Sequence, residues 1–349
     1  MFSKMIKIVE PRRFEEYITC LEQKAGELVI KPQFLNICKA DLRYYLGLRE
    51  QNILALKYPL CLIHEAIGEV VKESEIGNIK KNEKVVLIPN RLPECKRDKE
   101  CAYVCLDLSL GKNYCPESVF ASSNADGFLR EYLAYKEDST VKLTTIENEA
   151  SYVFLELVSV ACAAVRRVDI NKFDEVIVWG SGNMAYITSA VIKYCYGKSV
   201  TVVGRNETRL KQFQFCDTLS VLQAKKKDLK RNLFFECVGG SNSQEAINQI
   251  IIEGAIGAEI VLMGVPTQNP AINTRGILEK GIIMKGTTRS EREDFLTAVK
   301  CFENHSFRKE IEKLIIDIIE IRNIYDVQKC FELEENEKKL GKHVMKLNL

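Results

Sequence analysis

The spacing of apolar positions changes near the middle of the chain. Up to about residue 150, short apolar runs at 28–30, 67–71 and 84–88 are separated by turn residues, which is typical of β-strands. From about Val176, strand-like runs alternate with amphipathic segments of helical period. Strands that alternate with helices predict a parallel sheet covered on both faces. The predicted fold class is therefore α/β, with a β-rich part followed by a doubly wound parallel sheet.

The second pattern predicts the elements of that sheet. Strands are expected at 176–179, 199–203, 234–237 and 259–263, and helices at 184–194, 207–215 and 243–251. An amphipathic segment at 294–302 belongs to a C-terminal stretch that is expected to return to the first domain. The polar, cysteine-bearing segment 91–115 lacks periodic apolar positions and is interpreted as an ordered loop. The predicted domains are 1–150, completed by 291–349, and 151–290.

A glycine-rich motif follows the first strand of the second domain. Gly180-Ser181-Gly182-Asn183-Met184-Ala185 matches G-x-G-x-x-G/A, with alanine in the third place, and lies between a predicted strand and a predicted helix. In that setting Gly180 permits a tight turn, Gly182 lets the backbone approach a pyrophosphate, and the start of the helix favours phosphate. The motif predicts dinucleotide binding by Gly180, Gly182, Asn183 and Met184. The alternative is a glycine-rich turn with a structural role alone.

The residues after the next strand distinguish NADP(H) from NAD(H). NAD sites usually carry a carboxylate there, which holds the ribose hydroxyls. Here the strand runs into Gly204-Arg205, and Arg209 follows one helical turn later. Glycine removes the carboxylate that would repel a 2′-phosphate, and arginine offers a planar, permanently charged donor. The sequence predicts NADP(H), unless Arg205 is an ordinary solvated side chain.

Composition narrows the classes of function. The 349 residues carry 50 Lys+Arg and 48 Asp+Glu, so no basic field for nucleic acid is present. No apolar run reaches the roughly 18 residues of a membrane span, and the N-terminus lacks the apolar core of a signal peptide. Thirteen cysteines in such a chain indicate reduced thiols, some of them on metal. A cytoplasmic protein without nucleic-acid or membrane partners is expected.

Residue types that bind metals occur together in the first domain. Cys38 is followed by Asp41, and His64 and Glu65 lie side by side at the start of the next apolar segment. A catalytic zinc takes three protein ligands from cysteine, histidine and carboxylate and keeps one position open. The residues alone leave the choice open between such a zinc site and a purely structural role.

Four sequence motifs follow one another along nearly the whole chain. Together they resemble the zinc-containing medium-chain dehydrogenase/reductase family. They are Cys38-x-x-Asp41, His64-Glu65-x-x-Gly68, Gly127-Phe128-x-x-Glu131-Tyr132 and the motif at 180–185. The resemblance implies a GroES-like catalytic domain around an inserted Rossmann domain.

The same resemblance implies a role for each candidate catalytic residue. Cys38, His64 and Glu156 would bind a catalytic zinc, and Glu65 would approach the metal when water or substrate leaves. Asp41 would orient one of the ligands.

Two positions depart from the pattern of that family. Ile63 stands where glycine usually precedes the histidine, and Ala40 stands where a serine or threonine commonly relays the proton. The proton must then come from water or from Tyr44 or Tyr45.

Other segments carry a closer resemblance. The segments at 37–47, 179–183, 235–240 and 287–290 are together similar to ribitol-5-phosphate dehydrogenases, also called ribulose-5-phosphate reductases. The resemblance implies NADPH-dependent reduction of D-ribulose 5-phosphate to D-ribitol 5-phosphate, with zinc polarising the ketone, to supply CDP-ribitol for teichoic acid or capsule. A homodimer and a separate cytidylyltransferase partner are expected.

The substrate phosphate needs a cation. Arg43, Arg275 and Arg289 are the candidates, and each of them is equally compatible with a solvated or structural role. Two other functions stay open. One is a zinc polyol or alcohol dehydrogenase acting on an unphosphorylated substrate, and the other is a catalytically inactive nucleotide-binding scaffold.

The loop at 91–115 carries a second candidate metal site. Four of its cysteines follow C-x5-C-x3-C-x9-C, namely Cys95, Cys101, Cys105 and Cys115. Many members of the family carry a structural zinc there with tighter spacing, and four thiolates suit a closed tetrahedral site. The looser spacing leaves free thiols as the alternative. Other cysteines are expected to be buried apolar residues, among them Cys20, Cys162, Cys195 and Cys237.

Overall fold

The computed structural model describes residues 1–92, 112–144, 147–227 and 231–349. Its strands are β1 (Phe2–Glu10), β2 (Arg13–Cys20), β3 (Glu27–Asn36), β4 (Glu65–Lys72), β5 (Lys84–Leu87), β6 (Asn90–Arg91), β7 (Val119–Phe120), β8 (Leu133–Lys136), β9 (Thr140–Lys142), β10 (Glu175–Trp179), β11 (Ser199–Gly204), β12 (Asp217–Ser220), β13 (Arg231–Glu236), β14 (Gly254–Leu262), β15 (Ile283–Gly286), β16 (Ile315–Ile321) and β17 (Lys342–Leu347). Its α-helices are α1 (Lys39–Tyr45), α2 (Gln51–Lys57), α3 (Leu155–Val165), α4 (Asn183–Cys195), α5 (Glu207–Leu210), α6 (Val221–Lys227), α7 (Ser243–Glu253), α8 (Thr274–Lys280), α9 (Arg292–Glu303), α10 (His305–Glu312) and α11 (Ile324–Asn336).

The chain divides into two compact units. The first consists of Met1–Glu156, Ser290–Val299 and Ile311–Leu349, and the second of Leu157–Arg289 and Lys300–Glu310. The domain bounds expected from the sequence, 1–150 completed by 291–349 for one domain and 151–290 for the other, stay a prediction.

The first unit is built on a mostly antiparallel sheet. Its strands follow the order β16-β17-β3-β4-β5-β9, and β8 pairs with the first half of β3. The last strand, β17, therefore lies beside β3, so the C-terminal segment completes the same sheet as the N-terminal one. An aromatic group closes one part of the core, where the Tyr45 ring lies 4.9 Å from Phe331 and 5.8 Å from Phe14.

The second unit contains a parallel sheet, as its sequence pattern predicts. The order is β12-β11-β10-β13-β14-β15, and each neighbouring pair runs parallel. The central strand β10 is buried over Val176, Ile177, Val178 and Trp179, as expected for a strand covered on both faces. The α/β fold class is confirmed.

The helix predicted at 207–215 is wrong in its length. The observed helix α5 ends at Leu210, and the chain turns before β12. The rings of Phe213 and Phe215 both pack edge-on against Tyr186, at 4.9 and 5.1 Å. Residues two apart do not share a helix face. Packing both rings on one tyrosine therefore requires the chain to leave the helical conformation.

In the described part of the chain, every helix is too short or too polar to span a membrane.

Candidate active site

The spacing Cys38-x-x-Asp41 reflects the start of helix α1. Cys38 occupies the position before the helix, and its backbone N–H donates to Asp41 Oδ2 at 2.9 Å. A carboxylate three residues after the capping position commonly reaches back in this way. The first turn of α1 thereby fixes the Cys38 backbone and buries the Asp41 carboxylate completely.

Asp41 also holds the backbone that leads to His64. Its Oδ1 accepts from the Ile63 N–H at 3.1 Å and from the Ser122 hydroxyl. Its Oδ2 lies 3.6 Å from His64 Nδ1. This arrangement leaves Nε2 as the ring nitrogen of His64 that is available to a ligand, and it is the outer contact that metal-binding histidines usually make.

The Ile63 position explains why glycine is usual there. Ile63 has φ of 75°, in the left-handed region that a β-branched residue rarely adopts. Its N–H and carbonyl are both engaged, the latter by Phe128 N–H at 2.8 Å, so the conformation is fixed from both sides. Its side chain is fully buried in the core, which offsets part of the strain.

Gly127 supports the same loop from the other side. A Cβ at this position would lie 2.3 Å from the Ile63 carbonyl oxygen and 2.4 Å from that of Leu62. Both atoms belong to the backbone that leads into His64. Gly127 is therefore needed for the close approach of two backbone segments.

These elements bring metal-ligating atoms together. One ligand atom each from Cys38, His64 and Glu65 lies within 4.8 Å of the other two. His64 and Glu65 are buried, and Cys38 is half-buried. The Phe120 ring packs beside His64, with ring centroids 5.4 Å apart.

Glu65 has a partner that the sequence motifs did not indicate. Lys342 Nζ donates to both Glu65 carboxylate oxygens, at 2.6 and 2.7 Å, and the pair is almost completely buried. The register places it there: Glu65 pairs with Asn36, Asn36 pairs with Val344, and Lys342 lies two residues from Val344 on the same face of β17. Burial acts to lower the pKa of Lys342, but the Glu65 and Cys38 charges outweigh it and the net pKa is raised.

Glu156 lies in the same electrostatic environment. It is buried, and burial raises the pKa of its carboxyl to about 7, with His64 lowering that pKa and Glu65 raising it. An ionised carboxylate here needs a nearby cation. Lys342 already occupies both oxygens of Glu65. The ligand atoms within 4.8 Å of one another belong to Cys38, His64 and Glu65, so the third-ligand role of Glu156 stays a prediction.

The charge of His64 depends on these neighbours. Burial acts to lower the pKa of His64, but Asp41 and Cys38 outweigh burial, and the pKa is raised well above its usual value. The reciprocal effect lowers the pKa of Asp41 in spite of its burial. Cysteine, histidine and carboxylate form the donor set of a catalytic zinc, and the excess of buried acidic groups suits a divalent cation. The residues therefore fit a zinc ion.

The remaining candidates of the first unit are two tyrosines and an arginine of α1 and the cysteines of the loop 91–115. The Tyr45 ring is packed on Phe14 and Phe331, with Arg12 and Glu332 acting on its hydroxyl. The Tyr44 ring contacts Arg49. Arg43 is half-buried on α1. Of the loop cysteines, Cys115 is half-buried, and the others lie outside the described residues, namely Cys95, Cys101 and Cys105.

The second unit contains a cavity of about 260 Å³ at the carboxyl ends of its strands. Gly180 and Gly182 line it, and α4 begins directly after them, with Asn183 and Met184 half-buried in its first turn. A Cβ at Gly182 would meet no atom within 4 Å, so there is open space where the motif requires a close approach of a ligand. The start of a 13-residue helix beside open space suits a pyrophosphate.

Gly204, Arg205 and Arg209 line the same cavity. A Cβ at Gly204 would lie 2.9 Å from the Ser181 Cβ, so the structure excludes a side chain as well as a carboxylate. Arg205 is half exposed and lies 3.7 Å from Glu245. Arg205 is therefore accessible to an anion at the end of β11.

The other two arginines of the sequence prediction also lie in the second unit. Arg275 is 88% exposed on α8, where it pairs with Glu279 at 2.8 Å. Arg289 is half-buried with φ of 60°, and burial lowers the pKa of its guanidinium. Backbone strain of this kind is often found at functional sites.

Replacement of Gly127 by alanine is expected to lower the free energy of unfolding by about 3 kcal/mol, because the added Cβ meets rigid backbone. The matched variant Gly182→Ala has free space, so we expect a stability change within about 0.5 kcal/mol. Its methyl group would instead weaken NADPH binding. Urea unfolding and a fluorescence titration with NADPH measure both effects. Equal stability of the two variants would contradict the packing assigned to Gly127.

Comparison with known proteins places this site in a family. The alcohol dehydrogenase GroES-like domain family matches residues 24–145. Ribulose-5-phosphate reductase 2 of Staphylococcus aureus is 32% identical over 341 residues, which cover 96% of this chain and 96% of that protein. Ribulose-5-phosphate reductase of Bacillus spizizenii is 32% identical over 339 residues, with 96% of each chain covered.

Solved structures agree with the sequence comparison. Staphylococcus aureus TarJ, crystallised in complex with NADPH, has a TM-score of 0.86 and 30% identity, with 100% of both chains covered. Galactitol-1-phosphate dehydrogenase of Escherichia coli, with a TM-score of 0.79 and 18% identity over 98% of this chain and 99% of that one, supports the fold alone. The chain therefore belongs to the zinc-containing medium-chain dehydrogenase/reductase family, within the group of ribulose-5-phosphate reductases.

Proposed function

We propose that this chain reduces D-ribulose 5-phosphate to D-ribitol 5-phosphate with NADPH. The observation that carries the proposal is the cluster of Cys38, His64 and Glu65, the last two of them buried, in a chain similar to ribulose-5-phosphate reductases over 96% of its length. Its retention disfavours an inactive scaffold, since a scaffold does not need buried metal-ligating residues. The product would supply CDP-ribitol for teichoic acid or capsule.

Cys38, His64 and Glu156 would hold zinc in this proposal. When bound, zinc supplies a Lewis acid that polarises the substrate carbonyl, and NADPH supplies the hydride. Asp41 orients His64 through Nδ1 and fixes the backbones of residues 38 and 63. Lys342 donates to both oxygens of Glu65, so that this carboxylate does not compete for the metal.

The alkoxide that hydride transfer produces must gain one proton. Ala40 has no hydroxyl, and the Tyr45 ring is packed into the aromatic core with Arg12 and Glu332 acting on its hydroxyl. The Tyr44 ring contacts Arg49. Among the donors that the sequence left open, we therefore assign the proton to water.

We propose either Arg43 or Arg289, as alternatives, for the substrate phosphate. Arg43 follows Cys38 on α1, and Arg289 is half-buried at the end of the second unit. The highly exposed Arg275, paired with Glu279 on the surface of α8, is the weakest of the three candidates. Surface pairs of that kind contribute little energy.

The decisive experiment follows NADPH oxidation by the purified protein. D-Ribulose 5-phosphate is compared with D-ribulose, D-xylulose 5-phosphate and simple aldehydes, and NADH is run in parallel. The proposal predicts strong turnover only with NADPH and ribulose 5-phosphate. Preferred turnover of the unphosphorylated sugar would identify a polyol dehydrogenase instead, and inactivity of zinc-loaded protein would refute the substrate.

Replacement of Arg205 by serine is expected to raise KM for NADPH about 10- to 100-fold, because a charge-assisted hydrogen bond contributes about 1.5–3 kcal/mol. KM for NADH should change little, since NADH lacks the 2′-phosphate. The control is Arg231→Ser. Arg231 is the first residue of β13, at the end of the parallel sheet away from the nucleotide cavity, and it pairs with Glu175 at 2.9 Å. An equal rise of KM for NADPH and NADH would show that Arg205 does not bind the 2′-phosphate.

The proposed assembly is a homodimer formed through the edge of the parallel sheet. Strand β15 is at that edge, and nearby apolar side chains are exposed: Ile256 at 85%, Leu278 at 81% and Ile283 at 48%. Exposed apolar residues next to an unpaired strand edge favour association. Light scattering should give twice the chain mass, and Ile283→Asp should yield monomers. A monomeric wild-type protein would refute this assembly.

The cytoplasmic location and the cytidylyltransferase partner stay predictions from the sequence.

A further inference from the structure

Three cysteines meet in the second unit, away from the metal-ligating residues. Cys162 lies on α3, Cys195 is the last residue of α4, and Cys301 lies in the last turn of α9. The Cys301 thiol hydrogen-bonds with the thiols of both Cys162 and Cys195. Cys162 and Cys301 are buried, at 2% and 4% exposure, whereas Cys195 is half-buried and reachable from solvent.

The sequence-based expectation was that the remaining cysteines are buried apolar residues. Cys162 and Cys237 are buried as predicted, but Cys20 is exposed and Cys195 is half-buried. The sequence could not indicate the contact, because 106 positions separate Cys195 from Cys301 (301 − 195).

The backbones that carry Cys195 and Cys301 are held together by their neighbours. Asn304 Nδ2 donates to the Tyr194 carbonyl at 3.2 Å, which ties the end of α9 to the end of α4. Arg308 then donates to the Phe302 carbonyl at 2.6 Å, which fixes the residue after Cys301. The hydrogen bond between the two thiols therefore joins backbones that are already tied to each other.

The thiol neighbours also shift the pKa values of these two sulfurs in opposite directions. Hydrogen bonds from Cys162 and Cys195 outweigh burial and lower the pKa of Cys301 to about 5. The pKa of Cys195 is raised, first by its hydrogen bond to Cys301 and then by burial. Cys216 is half-buried to a similar degree, but it donates to the Phe213 carbonyl, and burial and Asp217 raise its pKa to about 12. The thiolate is the reactive form of cysteine, which favours the cluster over Cys216.

We propose that Cys195 and Cys301 form a reversible disulfide, which makes this cluster an oxidative modification site. Cys195 passes its proton to the Cys301 sulfur, to which it is hydrogen-bonded, and the resulting Cys195 thiolate attacks a peroxide. One oxygen atom is transferred to the Cys195 sulfur to give a sulfenic acid, the O–O bond breaks, and the hydroxide that leaves takes the proton back from Cys301 to give water. The Cys301 thiolate then attacks the Cys195 sulfur, the S–S bond forms, and the hydroxide that leaves takes up a proton to give water. Two thiols and one hydrogen peroxide thus give one disulfide and two waters.

The test is a map of thiol oxidation in the zinc-loaded full-length protein. The protein is exposed to limiting hydrogen peroxide, alkylated with N-ethylmaleimide, digested without reductant and analysed by mass spectrometry. A linked Cys195–Cys301 peptide pair, two hydrogens lighter than the separate peptides, is expected, and alkylation of the accessible Cys195 should fall about 10-fold. Dithiothreitol should restore the alkylation.

Two variants make the result specific. Cys301→Ser should abolish the linked pair and slow the oxidation of Cys195, whereas the matched Cys216→Ser should leave the linked pair unchanged. If Cys301→Ser fails to fold, Cys195→Ser and the wild-type map decide. The proposal is overturned if wild-type Cys195 is found as sulfinic acid without a linked partner, or if Cys301 links to Cys162 instead. Neither outcome depends on the substrate of the reductase, since the readout is the bond itself.

Discussion

Replacement of His64 by alanine is expected to lower kcat/KM for D-ribulose 5-phosphate by about 10³-fold or more. Lewis-acid polarisation of a carbonyl contributes several kcal/mol, and each 1.36 kcal/mol is about a factor of ten in rate. His64 lies within 4.8 Å of ligand atoms of Cys38 and Glu65, and its Nδ1 faces Asp41. Loss of the imidazole therefore removes a ligand together with the contact that orients it.

The zinc content separates this effect from general damage. Elemental analysis should show about one zinc fewer per chain in His64→Ala, while NADPH still binds, because the nucleotide cavity is formed within the second unit. His305→Ala is the matched control, since His305 is exposed on α10 in the second unit, where its Nδ1 lies 3.4 Å from Arg308 Nη2. A His64→Ala protein with unchanged zinc and kcat/KM within a few-fold of wild type would refute the site.

The same measurement distinguishes the two carboxylates. Glu156→Gln should lose zinc, because the Glu156 carboxylate is proposed as the third ligand. Glu65→Gln should retain it, because both Glu65 oxygens already accept from Lys342. If Glu65→Gln lost zinc and Glu156→Gln retained it, Glu65 and not Glu156 would be the third ligand.

Local sequence patterns predicted those parts of the fold that depend on short-range order. Strands such as β10 and helices such as α4 were expected from apolar periodicity, and the glycine motif between them was recognisable because it needs that strand–turn–helix context. The helix expected at 207–215 failed where a tertiary contact decided the outcome. Phe213 and Phe215 pack together on Tyr186, and no periodicity within the segment reveals that partner.

The candidate site shows the same limit. The spacing of Cys38 and Asp41 is a property of one helix turn, so the motif indicated it. Lys342 was missed, because it lies 277 residues from Glu65 and reaches it only through the pairing of β17 with β3 and of β3 with β4. The only available signal was general: a buried glutamate requires a cation.

Ser122 was missed for a related reason. It comes from a short segment after β7 and donates to Asp41 from 81 residues away. Ile63 was noted as a departure from the family, but its left-handed conformation, and the role of Gly127 in permitting it, required coordinates.

Replacement of Lys342 by methionine is expected to lower the free energy of unfolding by about 3–5 kcal/mol, because the Glu65 carboxylate would remain buried without its counter-charge. Glu65 is completely buried and Lys342 nearly so. Equilibrium denaturation measures the loss. The matched control is Lys346→Met, on the same strand but exposed, which should change stability by no more than about 0.5 kcal/mol.

The double variant Lys342→Met/Glu65→Gln tests the cause of that loss. Methionine approximates the length of lysine, and glutamine removes the charge that lysine balanced, so most of the lost stability should return. Continued instability of the double variant would show that Lys342 acts by packing its alkyl chain. Recovery would mean that the buried ion pair is required mainly as a pair, because the lysine is the partner that engages both oxygens of the carboxylate beside the metal-binding cluster.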